Sequence, residues 1–187
     1  MKSTTVLLLA FALAGCRSTE SGPYQPLTET QRSTVLAEEL NRTAAELIYA
    51  SPDEAERLLR EALTADIYFG PAHNNLGVLY LEQGKLYEAA NEFEWARKLL
   101  PGAPDPRMNL ALTLEVAGRV DDALREYETA LEVAPEHLPT MQAMARLLME
   151  RDRDDERLPK LMETIAMRGE SQRWRQWAKS QRPNGAE

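Results

Sequence analysis

Cys16 is the only cysteine of this 187-residue chain, and its thiol is the most nucleophilic side chain that the sequence offers. A single cysteine forms no disulfide within the chain. It follows the apolar run Val6–Ala14, which Lys2 precedes. That run is too short to span a bilayer stably and is typical of a cleaved export signal. The reactive thiol therefore stands at the end of a signal sequence.

The residues Leu13-Ala14-Gly15-Cys16 resemble the lipobox of bacterial lipoproteins. The resemblance implies that the sulfur of Cys16 receives a diacylglycerol, that residues 1–15 are removed, and that the new amino terminus is acylated. Three acyl chains would anchor the protein to a membrane permanently. Arg17 is not the Asp that usually retains such proteins at the inner membrane. In a Gram-negative cell, the resemblance thus implies an outer-membrane lipoprotein that faces the periplasm. The alternative is an ordinary secretory signal with a chance cysteine.

The sequence contains no other group of side chains with the spacing of a catalytic or metal site. Its two histidines, His73 and His137, lie far apart in the sequence, and no His, Cys or carboxylate cluster has metal-ligand spacing. The net charge of −8 disfavours nucleic acid, whose binding depends on Lys and Arg at the phosphates. We therefore expect no enzyme activity, no cofactor, no metal and no nucleic-acid partner.

Asn75 and Asn109 are separated in the sequence by the same number of residues as other pairs of matching residues. An amide side chain has both donors and an acceptor, so it can bond to the C=O group and to the N–H group of a peptide backbone. The same interval separates two matching sets of residues. These sets are Leu76, Gly77, Tyr80, Gly84, Ala89, Phe93, Ala96 and Pro101, then Leu110, Ala111, Leu114, Gly118, Ala123, Tyr127, Ala130 and Pro135.

These positions resemble the tetratricopeptide repeat, a helix–turn–helix unit of about 34 residues. The resemblance implies an all-α fold, a right-handed α-solenoid of about three helix pairs with a C-terminal capping helix. It also implies that Gly77 and Ala89 lie where the two helices of one repeat touch. Gly84 should end the first of these helices in the left-handed conformation.

The sequence divides accordingly into a processed N-terminus, repeats and a cap. The predicted segments are 1–15 (signal peptide), 16–32 (lipidated cysteine and flexible tether), 33–69 (degenerate first repeat), 70–103 and 104–137 (clear repeats), 138–168 (degenerate last repeat) and 169–187 (cap helix and tail). In the last repeat, Leu158-Pro159 should interrupt the second helix near its start.

In tetratricopeptide arrays, the first helix of each repeat lines the concave side. The resemblance therefore implies a surface for a protein or peptide partner, formed by Asn74, Asn75, Val78, Leu81, Met108, Asn109, Leu112 and Arg146. Equivalent asparagines form a backbone-binding ladder in some members of the family. Alternatively, the asparagines bind nothing, because asparagine is common in this helix of the family. Met108 and Leu112 would then pack between repeats.

Residues 170–182 form a basic amphipathic segment with Trp174 and Trp177. It would be either a cap over the end of the solenoid or a helix that docks on a partner or a membrane surface.

The predicted function is a lipid-anchored scaffold or adaptor that binds a protein or peptide in the cell envelope. The chain resembles the small tetratricopeptide lipoproteins of type IV or tight-adherence pilus systems, some of which carry a secretin to the outer membrane. One alternative is a regulatory adaptor for an envelope enzyme such as a peptidoglycan hydrolase or protease. Another is self-association through the open ends of the solenoid, and the sequence leaves the oligomeric state open.

Overall fold

The computed structural model of the chain describes residues 33–151 and 154–168 and, beyond them, the helical residues 172, 176 and 180. Eight α-helices lie between residues 34 and 168. They are α1 (Thr34–Leu47), α2 (Pro52–Ala65), α3 (Gly70–Glu82), α4 (Leu86–Leu99), α5 (Asp105–Val116), α6 (Val120–Val133), α7 (Leu138–Arg151) and α8 (Leu158–Arg168). Cys16, the signal peptide, the tether, Trp174 and Trp177 lie outside the described residues.

The helices pack as consecutive pairs: α1 with α2, α3 with α4, α5 with α6, and α7 with α8. Each pair also packs on the next, and α3 contacts both α1 and α5. We call α1, α3, α5 and α7 the A helices and α2, α4, α6 and α8 the B helices. The architecture is an α-solenoid, as the sequence predicts.

Small and aliphatic residues fill the interior in two neighbouring clusters. The N-terminal cluster extends from α1 to α5, and the C-terminal cluster extends from α5 to α8. Alanine contributes heavily to both clusters, because a methyl group lets helix backbones approach closely. The repeat pattern thus corresponds to a continuous row of buried contacts along the chain.

Gly77 lies at a close contact between the two helices of one repeat. A Cβ added there would lie 2.6 Å from Cε1 of Phe93 and 2.8 Å from its Cδ1. Gly77 therefore faces the buried ring of Phe93. The resemblance implied a contact with Ala89, but the nearest atoms do not include those of Ala89. The left-handed conformation predicted for Gly84 is confirmed, with φ = 72°, and Gly118 repeats it with φ = 77°.

The start of the last B helix differs from the sequence prediction. We expected Leu158-Pro159 to interrupt this helix, but α8 begins at Leu158 and contains Pro159 in its first turn. Proline is tolerated there because the first backbone N–H groups of a helix have no partner within the helix. Leu158 itself is buried and joins the C-terminal cluster.

Candidate peptide-binding surface

The eight predicted site residues lie on three A helices: four on α3, three on α5, and Arg146 on α7. All eight are partly buried, so their side chains pack on neighbours while part of each faces solvent. We call this side of α1, α3, α5 and α7 the A-helix surface.

Asparagine amides link the A helices in two pairs. Nδ2 of Asn75 on α3 donates to Oδ1 of Asn41 on α1 at 2.8 Å. Nδ2 of Asn109 on α5 donates to Oδ1 of Asn74 on α3 at 3.1 Å. The predicted pair Asn75 and Asn109 therefore do not pair with each other, since each bonds to an asparagine on the preceding A helix. Asn41, which the sequence prediction missed, lies one repeat length before Asn75.

Each amide pair keeps hydrogen-bonding capacity for a ligand. An asparagine side chain has two N–H donors and an acceptor with two lone pairs, and one internal bond uses one donor of one residue and one lone pair of the other. In the first pair, the amide of Asn41 retains its donors and Oδ1 of Asn75 remains an acceptor. An extended backbone offers the complementary set, a carbonyl oxygen and an N–H group.

The apolar residues of the surface belong partly to the core. Val78 and Leu81 pack against the N-terminal cluster, and Met108 packs against the C-terminal cluster. This packing agrees with the alternative interpretation of Met108 given by the sequence. Leu112 belongs to neither cluster and remains partly exposed.

Arg146 is held by an acidic partner. Its Nη1 lies 2.8 Å from Oε1 of Glu115 on α5 and 3.6 Å from Oε1 of Glu150. Glu115 also accepts a 3.0 Å hydrogen bond from the hydroxyl of Tyr127. The bond to Glu115 raises the pKa of Arg146, and burial followed by the charge of Glu115 raises the pKa of Tyr127. The charge of Arg146 is thus already compensated by Glu115 and, at a longer distance, by Glu150.

His73 lies inside the repeat, away from the A-helix surface. The ring is 1% exposed, with Nδ1 2.6 Å from Oε2 of Glu92 and Nε2 2.8 Å from the carbonyl oxygen of Ile67. The indole of Trp95 stacks on it with ring centroids 5.8 Å apart. These contacts are those of a packing residue, because both ring nitrogens already face an oxygen.

Comparison with protein-family models decides the family of the central helices. The family model described as tetratricopeptide repeat matches residues 50–104 and again residues 74–138. Residues 50–138 are tetratricopeptide repeats. A comparison with curated protein sequences gave no match.

Solved structures share the tetratricopeptide fold. A crystal structure of MamA is 19% identical, with a TM-score of 0.63 over 72% of this chain and 81% of MamA. A tetratricopeptide repeat protein from Parabacteroides merdae is 22% identical, with a TM-score of 0.63 over 79% of this chain and 59% of its own. The first such domain of Spaghetti (RPAP3), bound to an HSP90 peptide, is 16% identical, with a TM-score of 0.60 over 64% of this chain and 96% of its own. At these identities, the likeness concerns the fold.

Three cavities of the repeat array lie between neighbouring B helices. They occur between α2 and α4, between α4 and α6, and between α6 and α8, with volumes of about 650, 220 and 650 Å³. None of the eight predicted site residues lines them. The array therefore presents two different surfaces, and only the A helices carry the paired asparagines.

Residues 33–151 and 154–168 hold no cluster of three or more His, Cys, Asp or Glu side chains arranged for a metal ion. In the same part of the chain, every helix is too short or too polar to cross a membrane.

Proposed function

We propose that this protein is a lipid-anchored, non-catalytic scaffold that binds an extended peptide segment of another envelope protein on its A-helix surface. The lipid on Cys16 would hold the repeats at the outer membrane of a Gram-negative cell, facing the periplasm. We further propose that the machine it serves is a pilus or its secretin, on the resemblance of the lipobox and repeats to small pilus lipoproteins.

The observation that carries the proposal is the repetition of the amide pairs. Asn41–Asn75 and Asn74–Asn109 join successive A helices at nearly the same repeat interval. A peptide backbone repeats its own donors and acceptors every two residues, so regularly spaced amides can bond it without regard to its side chains. Each such bond would contribute about 0.5–1.5 kcal/mol net. A structural relative is bound to an HSP90 peptide, so this fold can hold a peptide.

The chemistry of the surface favours a neutral, partly apolar peptide. Leu112 and the exposed parts of Val78 and Leu81 would contact side chains of the ligand next to the amides. Arg146, the one basic residue of the eight, is already paired with Glu115. A peptide that depends on a carboxylate would have to compete with that ion pair, at a cost in affinity.

Affinity capture with matched variants tests the proposal. Residues 17–187, immobilised and exposed to envelope extract, should retain a partner that the Asn75→Ala/Asn109→Ala variant loses. Asn91→Ala is the matched control, because Asn91 is an exposed asparagine on the B helix α4. The partner should then be identified and titrated against all three proteins. Equal affinity for the parent and the double variant would contradict the proposed role of the amides.

A further inference from the structure

The groove between α6 and α8 is a second candidate binding surface, and it is independent of the proposed peptide site. Its floor is apolar, formed by Leu131, Met141, Met144 and Leu161, and its volume is about 650 Å³. Methionine side chains are flexible and polarisable, so they adapt to large aromatic groups. The groove could therefore accept an apolar face of another helix.

Acidic side chains line the edge of this α6–α8 groove. Glu132 and Glu156 are both exposed, and neither forms an ion pair with another residue in 33–151 or 154–168. Glu128 lies at the same edge, bound to Arg157, and the exposed Lys160 also lines the groove, so the lining carries three carboxylates against two basic side chains. Residues 33–168 as a whole contain 26 Asp and Glu against 15 Lys and Arg, a difference of −11. A basic partner would be attracted to this edge.

The chain itself carries a segment with the complementary composition. Residues 170–182 contain two tryptophans and four basic residues, Arg173, Arg175, Lys179 and Arg182, with a single acidic residue. They follow α8 directly, and Gly169 is the residue type that most often ends a helix.

Three residues of the sequence lie between Arg168, the last residue of α8, and the next described residue, Gln172. α8 ends at Arg168, and residue 172 is already helical, as are residues 176 and 180. Helices joined by two to five residues usually form antiparallel neighbours. Gln172, Gln176 and Ser180 are exposed. A helical projection of the sequence puts positions 174 and 177 on the side away from these three.

We infer that residues 170–182 dock in the α6–α8 groove as a helix antiparallel to α8. In this arrangement, Trp174 and Trp177 cover the methionine floor and the basic residues face Glu132 and Glu156. The alternative position is the opposite side of α8, where a further repeat would follow and where Glu163 is exposed.

Cysteine cross-linking distinguishes the two positions. In the full chain with Cys16→Ser, Glu132→Cys combined with Arg175→Cys should form a disulfide under mild oxidation, because α6 faces the docked segment across the groove. Glu163→Cys with Arg175→Cys should react at least about tenfold more slowly. The reverse order of rates would overturn the inference and place the segment over the end of the solenoid. Equally slow reaction of both pairs would overturn it as well.

Charge reversal gives a second test that leaves the core intact. Glu132→Lys/Glu156→Lys should release the segment and raise its rate of tryptic cleavage after Arg173 and Arg175 about threefold or more. Glu163→Lys changes one exposed charge outside the groove and should leave the rate unchanged. An unchanged rate in the double variant would contradict docking at the acidic edge.

Discussion

At the scale of single residues, the space around Gly77 is already filled. The ring of Phe93 is fully buried and approaches the position where a Cβ would stand. Interiors packed to this density do not accommodate added carbons without moving their neighbours. Gly77 therefore permits the close approach of α3 and α4 at this point.

We predict that Gly77→Leu lowers the free energy of unfolding by about 3 kcal/mol, because the new side chain must displace Phe93. The melting temperature should fall by several degrees. Gly102 is the matched control, because no heavy atom lies within 4 Å of its potential Cβ and its φ is not left-handed. Gly102→Leu should change stability by less than about 0.5 kcal/mol. Similar melting temperatures for the two variants would disprove the tight contact.

Tyr80 makes stability depend on pH in the alkaline range. Burial, the largest cause, raises the pKa of its phenol to about 12, above the usual value near 10. Arg60 donates a 2.7 Å hydrogen bond to the hydroxyl oxygen, and the hydroxyl donates to Glu56. Because the folded-state pKa is the higher one, the stabilisation from the neutral phenol is complete below about pH 10 and is lost towards pH 12.

The test compares urea unfolding of the parent and Tyr80→Phe between pH 8 and 11.5. The parent should be more stable at pH 8 through its hydroxyl contacts, and the difference should shrink above pH 10. Tyr87→Phe, whose ring is 78% exposed, controls for the loss of a surface hydroxyl. A difference that stays constant with pH for Tyr80→Phe would contradict this account.

Asn41 illustrates what the sequence could and could not predict at this scale. Its distance of one repeat length from Asn75 placed it at the ladder position, but Arg42 and Thr43 replace the expected consensus residues beside it. Because of these two substitutions, the sequence pattern did not identify Asn41 as a member of the asparagine ladder. The sequence could not predict which asparagine bonds to which, because this depends on the stagger between successive A helices.

At the scale of elements, a buried carboxylate holds the two ends of the first repeat together. Asp66 follows α2, is 1% exposed, and accepts 2.8 and 3.0 Å hydrogen bonds from the hydroxyl of Thr34 and the backbone N–H of Tyr68. It therefore connects the start of α1 with the turn that leads into α3. Its bond to Thr34 was not predictable from the sequence, because it depends on how the degenerate first repeat packs.

We predict that Asp66→Ala destabilises the protein by about 1–3 kcal/mol, because the hydroxyl of Thr34 and the backbone N–H of Tyr68 lose their buried acceptor. Thr34→Val removes the hydrogen bond from the hydroxyl of residue 34 and leaves the one from Tyr68, so it should cost about 1 kcal/mol. Chemical denaturation measures both values. Equal stability of Asp66→Ala and the parent would mean that this turn is held by other contacts.

The pairing of elements was predictable from the repeat, and the pairing of side chains across the A helices was not. The period of the repeat identified both helices of each clear repeat. It also placed Arg146 on the A-helix surface. Its ion pair with Glu115 depends on the rotation of α7 relative to α5, which no local pattern in the sequence specifies.

At the scale of the whole molecule, the proposal combines an anchor with a repeat array. Cys16 lies in the sequence before the repeats and would place them at a lipid surface. We predict that Cys16→Ser abolishes metabolic labelling with palmitate and moves the protein to the soluble fraction, because no other thiol can accept the lipid. Arg17→Ala is a control that keeps the thiol and should remain labelled. A labelled, membrane-bound Cys16→Ser protein would exclude lipidation at this residue.

The most direct test of the central claim locates the partner on the array in living cells. A photo-reactive amino acid at position 112 would stand on the A-helix surface, and one at position 87 would stand on the B helix α4, where Tyr87 is 78% exposed. The account predicts a discrete cross-linked adduct from position 112, absent in the Asn75→Ala/Asn109→Ala variant, and none from position 87. An adduct from position 87 alone would contradict peptide binding by the A helices.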